Sequence, residues 1–403
     1  MKGIVVDTGF PHSHNLMRKM SNVDTFDDLG DVTASNNNIG IGDGAISGIT
    51  NSGVVAIGVN AGLTGSNVGN DSVIIGGTET GAFANSVAQL GCGADNVVIG
   101  PSALGGATVL GEEAVVIGAG AGYNGVGSDT IMIGRASGLG STANASTKSI
   151  FIGDNAGFGT GTFNNNSICV GFASGIGGSG QDSVAIGTQS KALTQGSVAI
   201  GISSEASTQN YTVAVGDLAV AQGLESVSMG LSATTTGERC VAIGPITKAT
   251  GNYSVCIGGG ACTTAGSGSS VVAIGKLAGA VSAPSDNAIC IGTDAGQGTT
   301  SAVGASSICI GNQAGATGAG TDSILIGQGS QGLTNNSIVI NATGATTASV
   351  TSGLVIKPIA VQSTSVTLEN HINLPATATN FTQILVRNPT SGEIRAVDLQ
   401  TIP

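Results

Sequence analysis

The chain of 403 residues has no tryptophan, three tyrosines and eight phenylalanines. A thick globular core built round large aromatic side chains is therefore excluded. Charge is almost as scarce. Asp, Glu, Lys and Arg make up 9% of the residues, and only 12 are Lys or Arg. With a net charge of −12 and no basic cluster, the chain lacks what phosphate-backbone binding needs, and no nucleic-acid partner is expected. Only His12, His14 and His371 carry imidazoles, so a hydrolytic triad has nothing to build on. No paired carboxylates recur in an acid–base context, so no enzyme and no cofactor are expected. Apolar residues reach 40%, but they are spread periodically. No stretch is long enough to span a bilayer, and no membrane insertion is expected.

Glycine is abundant, with 68 copies, and many of them close a recurring phrase, V/I-x-I/V-G. The phrase ends at Gly42, Gly58, Gly76, Gly100, Gly118, Gly134, Gly153, Gly171, Gly187, Gly201, Gly216, Gly230, Gly244, Gly258, Gly275, Gly292, Gly311 and Gly327, and a further copy ends at Asn341. Between Gly187 and Gly258 the spacing is 14 or 15 residues; elsewhere it is mostly 16 to 19. One gap of 24, between Gly76 and Gly100, holds a degenerate copy at Val87–Gly91. A fixed phrase at short period marks a solenoid. Fourteen residues are too few for a helical hairpin, but they fit two short strands and two turns. The expected fold is all-β, a parallel β-solenoid of about 14–19 residues per coil and roughly 18 coils. The longer spacings read as the same coil with a Gly/Ser/Thr loop inserted.

We number positions back from the glycine. Position −3 is Val or Ile in every copy, and −1 is Ile or Val in every copy except Met229. The two share one strand face, which is expected to fill the coil, each side chain contributing roughly 1.5–3 kcal/mol. Position −2 then points outward. Its occupants include Val98, Val116, Met132, Phe151, Cys169, Ala185, Ala199, Ala214, Ala242, Cys256, Ala273, Cys290, Cys309 and Leu325, and none in the column is charged. An outward apolar column needs a cover, and the simplest is further copies of the chain round a symmetry axis. The −2 column is thus the expected interface of a homo-oligomer. Position −4 is usually Ser or Thr and −5 often Asp, Asn or Glu, types that initiate turns and hydrogen-bond along ladders. The glycine is expected to need a positive φ.

Of seven cysteines, Cys169, Cys256, Cys290 and Cys309 lie in the −2 column; the others are Cys92, Cys240 and Cys262. No CxxC pair or Cys/His cluster has metal spacing, so they read as small apolar fillers suited to assembly in a reducing compartment. Cys290 and Cys309 are candidates for neighbours in adjacent coils, without a disulfide being expected. A single GGxGxD phrase, Gly177–Asp182, lacks the tandem period of a calcium roll.

Ser183–Gly187, Ser197–Gly201 and the run Cys240–Ala261 resemble the YadA-type head repeat of trimeric autotransporter adhesins, in period, in the S-V-A-I-G phrase and in the stretch after it. The resemblance covers about residues 38–341. It implies a left-handed parallel β-roll three chains wide that binds host surfaces, hence a homotrimer. The first residues lack the apolar segment of an export signal, and neither a heptad stalk nor a closing set of amphipathic strands is visible. Thr25–Thr33 resembles a phrase near the start of phage and large-virus fibre proteins. Gly353–Ile359 with Ile384–Ile394 resembles a C-terminal module of fibre-like proteins in large DNA viruses. These resemblances imply a structural virion or tail fibre, extracellular after assembly in a reducing cytoplasm, mediating host-surface attachment or particle decoration. A bacterial adhesin head at the cell surface is the alternative. Residues 1–37 read as an arm docking other virion or filament subunits, 38–341 as the solenoid and 342–403 as a small β cap. The Asn388–Gly392 turn in the cap is expected to join a hairpin. A host glycan or protein is the expected ligand. In a trimer, His12 and His14 are candidate metal ligands, though a docking arm is preferred for that segment.

Overall fold

A computed structural model of the chain describes residues 32–35, 37–42, 45–46, 49, 51–58, 61, 69–76, 93–104, 111–139, 147–159, 165–263, 268–282, 284–344, 347–349, 353–357, 383–387 and 394–398. The degenerate copy Val87–Gly91, Cys92 and all three histidines lie outside these residues. Two units are distinguished, Met1–Tyr211 and Thr212–Pro403, and each is a stack of parallel coils.

In the first unit the phrase forms the strands Asn38–Ile41, Val55–Ile57, Val73–Ile75, Val97–Ile99, Val115–Ile117, Ile131–Ile133, Ile150–Ile152, Ile168–Val170, Val184–Ile186 and Val198–Ile200. Each pairs in parallel with the next, column on column, as in Val184↔Val198 and Ala185↔Ala199. The 24-residue gap changes nothing in the register, since Val73 pairs with Val97. The second unit repeats the pattern from Val213–Val215 to Ile324–Ile326 and Ser337–Asn341. The ladder then runs past the expected boundary at 341, because Gly353–Lys357 adds in parallel on Ser337–Asn341. A second strand per coil appears among the shortest coils: Lys191–Ala192 on Glu205–Ala206 in the first unit, and Val220–Ala221, Thr234–Thr235 and Lys248–Ala249 in the second.

The first coil's free edge is covered by Val32–Ser35, which pairs antiparallel with Asn38–Ile41. In the second unit Gln383–Arg387 and Ile394–Asp398 form the expected hairpin, and Ile394–Asp398 lies against Gly353–Lys357. Covering an end strand satisfies backbone groups that would otherwise template another chain.

The interior reverses the expected assignment of faces. In nearly every three-residue strand the middle residue is buried and its two neighbours are not. The −2 residues Val98, Val116, Met132, Phe151, Cys169, Ala185, Ala199, Ala214, Ala242, Cys256, Ala273, Cys290, Cys309 and Leu325 are all 0–2% exposed within a single chain. They line the coil and are not available as an interface. The reason is space. In the coil from Gly187 to Gly201 the buried positions include Ser190, Ala192, Ser197 and Ala199, and a coil so narrow admits only small side chains. Wider coils admit larger ones, such as Met132 and Phe151. There a glycine four places after the phrase makes room: a Cβ on Gly157 would sit 2.7 Å from the Phe151 ring, and one on Gly315 would sit 2.6 Å from the Cys309 sulfur.

Position −4 shares the inward face with −2, and its hydroxyls join coil to coil. Ser149 Oγ lies 3.3 Å from Ser167 Oγ and accepts from the Ser167 amide at 3.3 Å. The amides of Ser323 and Ser337 donate to the hydroxyls of Ser307 and Ser323, each at 3.3 Å. Asn96 does the same work with an amide, donating to the Gly93 and Gly111 carbonyls and accepting from Ala114 N–H at 2.8 Å. At the end of the strand the expected positive φ is found: Gly118, Gly230 and Gly258 have φ of 138°, 130° and 129°. A Cβ on Gly230 would lie 2.6 Å from the Gly244 carbonyl oxygen, so both conformation and coil spacing demand glycine. The −5 column also lies in the left-handed region, from Asp71 (φ 55°) to Asn336 (φ 59°), which explains its Asp and Asn content.

Candidate self-association face

Turning −2 inward turns −3 and −1 outward. Their Val and Ile side chains form two parallel columns on the face of each unit. Along the −1 column Ile152, Ile186, Ile200, Met229, Ile274, Ile310 and Ile326 remain 37–40% exposed. The in-register pairing places Ile186 over Ile200 in the first unit and Ile310 over Ile326 in the second. A sheet face of β-branched side chains, continuous over successive coils, is the candidate association surface of each unit. Sequence reasoning found the apolar face but chose the wrong column for it.

Two corners flank this face. The corner before the strand, at −5, is charged in nine of the coils. In the first unit Asp95, Glu113 and Asp129 follow one another; a hydrogen bond with Asp129 and its negative charge hold the Glu113 carboxyl above the usual range. In the second unit Glu225, Arg239 and Tyr253 occupy this position in successive coils. Arg239 Nε donates to Glu225 Oε2 at 2.8 Å and Arg239 Nη1 to the Tyr253 hydroxyl at 3.1 Å. The guanidinium lies 5.7 Å from the Tyr253 ring centre. These bonds, first that to Glu225, raise the Arg239 pKa. The corner after the glycine is apolar at several coils: Phe172 and Ile202 in the first unit, and Leu218, Leu231 and Ile246 in the second, are each more than half exposed. The ion pair Arg135–Asp154, 2.7 Å, ties two coils at this corner.

Among the described residues no group of His, Cys, Asp and Glu has the arrangement of a metal site, and no helix is long and apolar enough to cross a membrane. The six described cysteines are buried free thiols. Cys290 and Cys309 are register partners in adjacent coils, as expected. Burial pushes the Cys169 thiol up to about 12. The Cys256 and Cys309 thiols are raised further, by hydrogen bonds with Cys262 and Cys290 and then by burial. A buried thiol with a raised pKa, as at Cys169, Cys256 and Cys309, is a poor nucleophile.

A family model for the YadA head domain repeat matches residues 179–204, 195–219, 221–244 and 236–261. Residues 179–261 carry YadA head repeats. The match falls on the block of 14- and 15-residue coils, where most of the second short strands are formed (a further pair, Ser330–Gly332 on Thr347–Ser349, lies beyond it), and it agrees with the parallel β-solenoid of the structure. No curated protein matches the chain. Outside 179–261 the coils share with this block the strand, the glycine at its end and the left-handed −5 position.

Proposed function

We propose that the chain is a non-catalytic fibre or adhesin head, a homotrimer whose three solenoids face one another through the −3 and −1 columns, with host-surface attachment as its role. The observation that carries the reading is the outward Val/Ile face. It keeps one chemical character whatever the length of the coil, as a surface matched to copies of itself would. The YadA head repeats at 179–261 support it, since heads of that type are parts of trimeric adhesins. Three chains cover all three faces with closed symmetry and leave no apolar face to propagate.

A virion or tail fibre is the finer reading, supported by the fibre-like phrases at Thr25–Thr33, Gly353–Ile359 and Ile384–Ile394. On that reading residues 1–37 dock to other particle subunits. The bacterial adhesin reading is favoured by the head repeats themselves. Sedimentation of the full chain tests the common element: a trimer is expected, and a folded monomer overturns it. An antibody to residues 179–261 separates the settings. Labelling of purified virus particles supports the fibre; labelling of a bacterial outer-membrane fraction supports the adhesin.

A further inference from the structure

Three-fold closure has a consequence for the two corners of the apolar face. A three-fold interface is heterologous: one edge of a protomer meets the opposite edge of the next. A closed ring involves no rise, so each coil stands level with its own copies. The corner before a strand therefore meets the neighbour's corner after the same strand. For Val255–Ile257 the first corner carries Tyr253 and the second carries Gly259 and Gly260.

These two corners are complementary. Tyr253 is 52% exposed in a left-handed conformation (φ 60°), and its hydroxyl and ring are both engaged by Arg239. It is thus a fixed, protruding aromatic group with little rotamer freedom left to lose. Gly259 and Gly260 interrupt the apolar corner column with no side chain of their own. Pro245 and Ile246 lie on the coil before them, and Leu277 lies on the coil after. A Cβ on Gly259 would lie 3.6 Å from Pro245, whereas Gly260 is buried with Leu277 2.8 Å from where its Cβ would be, so the part-exposed Gly259 forms the floor of a shallow seat with apolar walls. Ile246 holds the left-handed conformation common to its corner column (φ 58°, as Leu218 at 56° and Leu277 at 57°), but it is β-branched there and 55% exposed. That combination costs conformational energy and brings an isolated chain no burial in return.

We propose that Tyr253 of each protomer seats against the Gly259–Gly260 corner of the next, between Ile246 and Leu277, and fixes the register of the trimer. The inference rests on the trimer reading above. A rigid aromatic knob in an apolar seat is the kind of contact that dominates protein interfaces.

The test is cross-linking of the full chain carrying Tyr253→Cys and Gly259→Cys together. Gly259 does not hold a positive φ and has open van der Waals room, so it accepts a side chain. Under mild oxidation with glutathione disulfide the double variant is expected to give a covalent three-chain species on a non-reducing denaturing gel. Wild type and both single variants are expected to stay single-chain. A double variant that sediments as a trimer but forms no cross-link overturns the proposal. So does self-cross-linking of Tyr253→Cys alone, which would mean like edges meet. A wild-type chain that sediments as a monomer overturns the trimer reading itself, and the proposal with it. Should the double variant fail to fold, Tyr253→Ser decides the matter. It is expected to raise the trimer dissociation constant at least tenfold, and an unchanged constant overturns the seat.

Discussion

Ala199 and Ile200 are consecutive residues on opposite faces of one strand, and substituting each with Asp separates folding from assembly. Ala199 is 0% exposed and Ile200 37% exposed in the single chain. Full burial of an Ile side chain contributes roughly 1.5–3 kcal/mol. The exposed fraction of Ile200 therefore has about 0.6–1.1 kcal/mol left to give on assembly, or about 2–3 kcal/mol over three protomers. Ile200→Asp forfeits that and gathers three carboxylates at a closed apolar interface, each costing several kcal/mol more unless protonated. In the separate chain the same carboxylate stays in contact with water. The expected outcome for Ile200→Asp is a chain with wild-type far-ultraviolet circular dichroism that sediments as a monomer at neutral pH. Ala199→Asp puts an unpartnered charge inside a coil lined by Ser and Ala, and is expected to abolish folding of its unit. Velocity sedimentation and circular dichroism read both outcomes. A trimeric Ile200→Asp, or a folded Ala199→Asp, would refute the assignment of faces.

Ser228 is the one hydroxyl-bearing residue in the −2 column; it is fully buried, its Oγ has no partner, and its register neighbours are Ala214 and Ala242. Ser228→Ala is expected to stabilise the second unit by about 1 kcal/mol, the cost of an unsatisfied buried hydroxyl, read as a raised melting temperature. Gly230→Ala forces a side chain into φ 130° and to within 2.6 Å of the next coil's carbonyl; a loss of about 3 kcal/mol or more is expected in chemical denaturation. The thiols of Cys169, Cys256, Cys262, Cys290 and Cys309 are expected to resist a thiol reagent at pH 8 until denaturant is added; rapid labelling of the folded chain would contradict their burial. The Cys169 thiol holds its proton up to about 12 in the fold, against 9.0 for a free thiol. The unfolded chain therefore loses that proton first, so the Cys169 contribution to stability is constant below pH 9 and is lost between pH 9 and 12. Cys169→Ala is expected to remove this part of the alkaline decline.

The phrase strands, their stacking and the positive φ of the closing glycine were legible in the sequence, because each is fixed by a local requirement repeated many times; the left-handed conformation of the −5 column and the end strands Val32–Ser35 and Gly353–Lys357 were not. Glycine ends the strand because only glycine takes φ near 130° with a neighbouring backbone so close. Asp and Asn recur at −5 because a short polar side chain tolerates the left-handed turn there. What local chemistry left open was how coils beyond the 14-residue block close. Their inserted Gly/Ser/Thr residues carry no period of their own. The Tyr253–Arg239–Glu225 stack was equally hidden, since three residues 14 apart look unrelated until the coils align them.

The inversion of faces has a physical reason that the sequence also contains. Choosing the larger, β-branched columns as core treats the coil as a globular interior, where burial rises with side-chain size. A coil encloses a space whose width is set by its own length, so the inward column must vary with that length. Position −2 follows this trend without obeying it everywhere: it is Ala or Ser at residues 185, 199, 214, 228 and 242, within the 14- and 15-residue block, and Ile74, Val98, Val116, Met132 and Phe151 where coils are longer, although Ala56 and Ala273 also stand in longer coils and Val339 in a 14-residue one. Positions −3 and −1 stay Val or Ile, Met229 apart, across coils of every length. A column indifferent to coil length answers to something outside the coil with a constant repeat. In a structure whose strands stack at about 4.8 Å, the same stack in another chain has that repeat. The invariance of the outward columns is therefore an argument for self-association that holds without any likeness to a known head domain. It would fail if the −3 and −1 side chains proved to be covered by another part of the same chain.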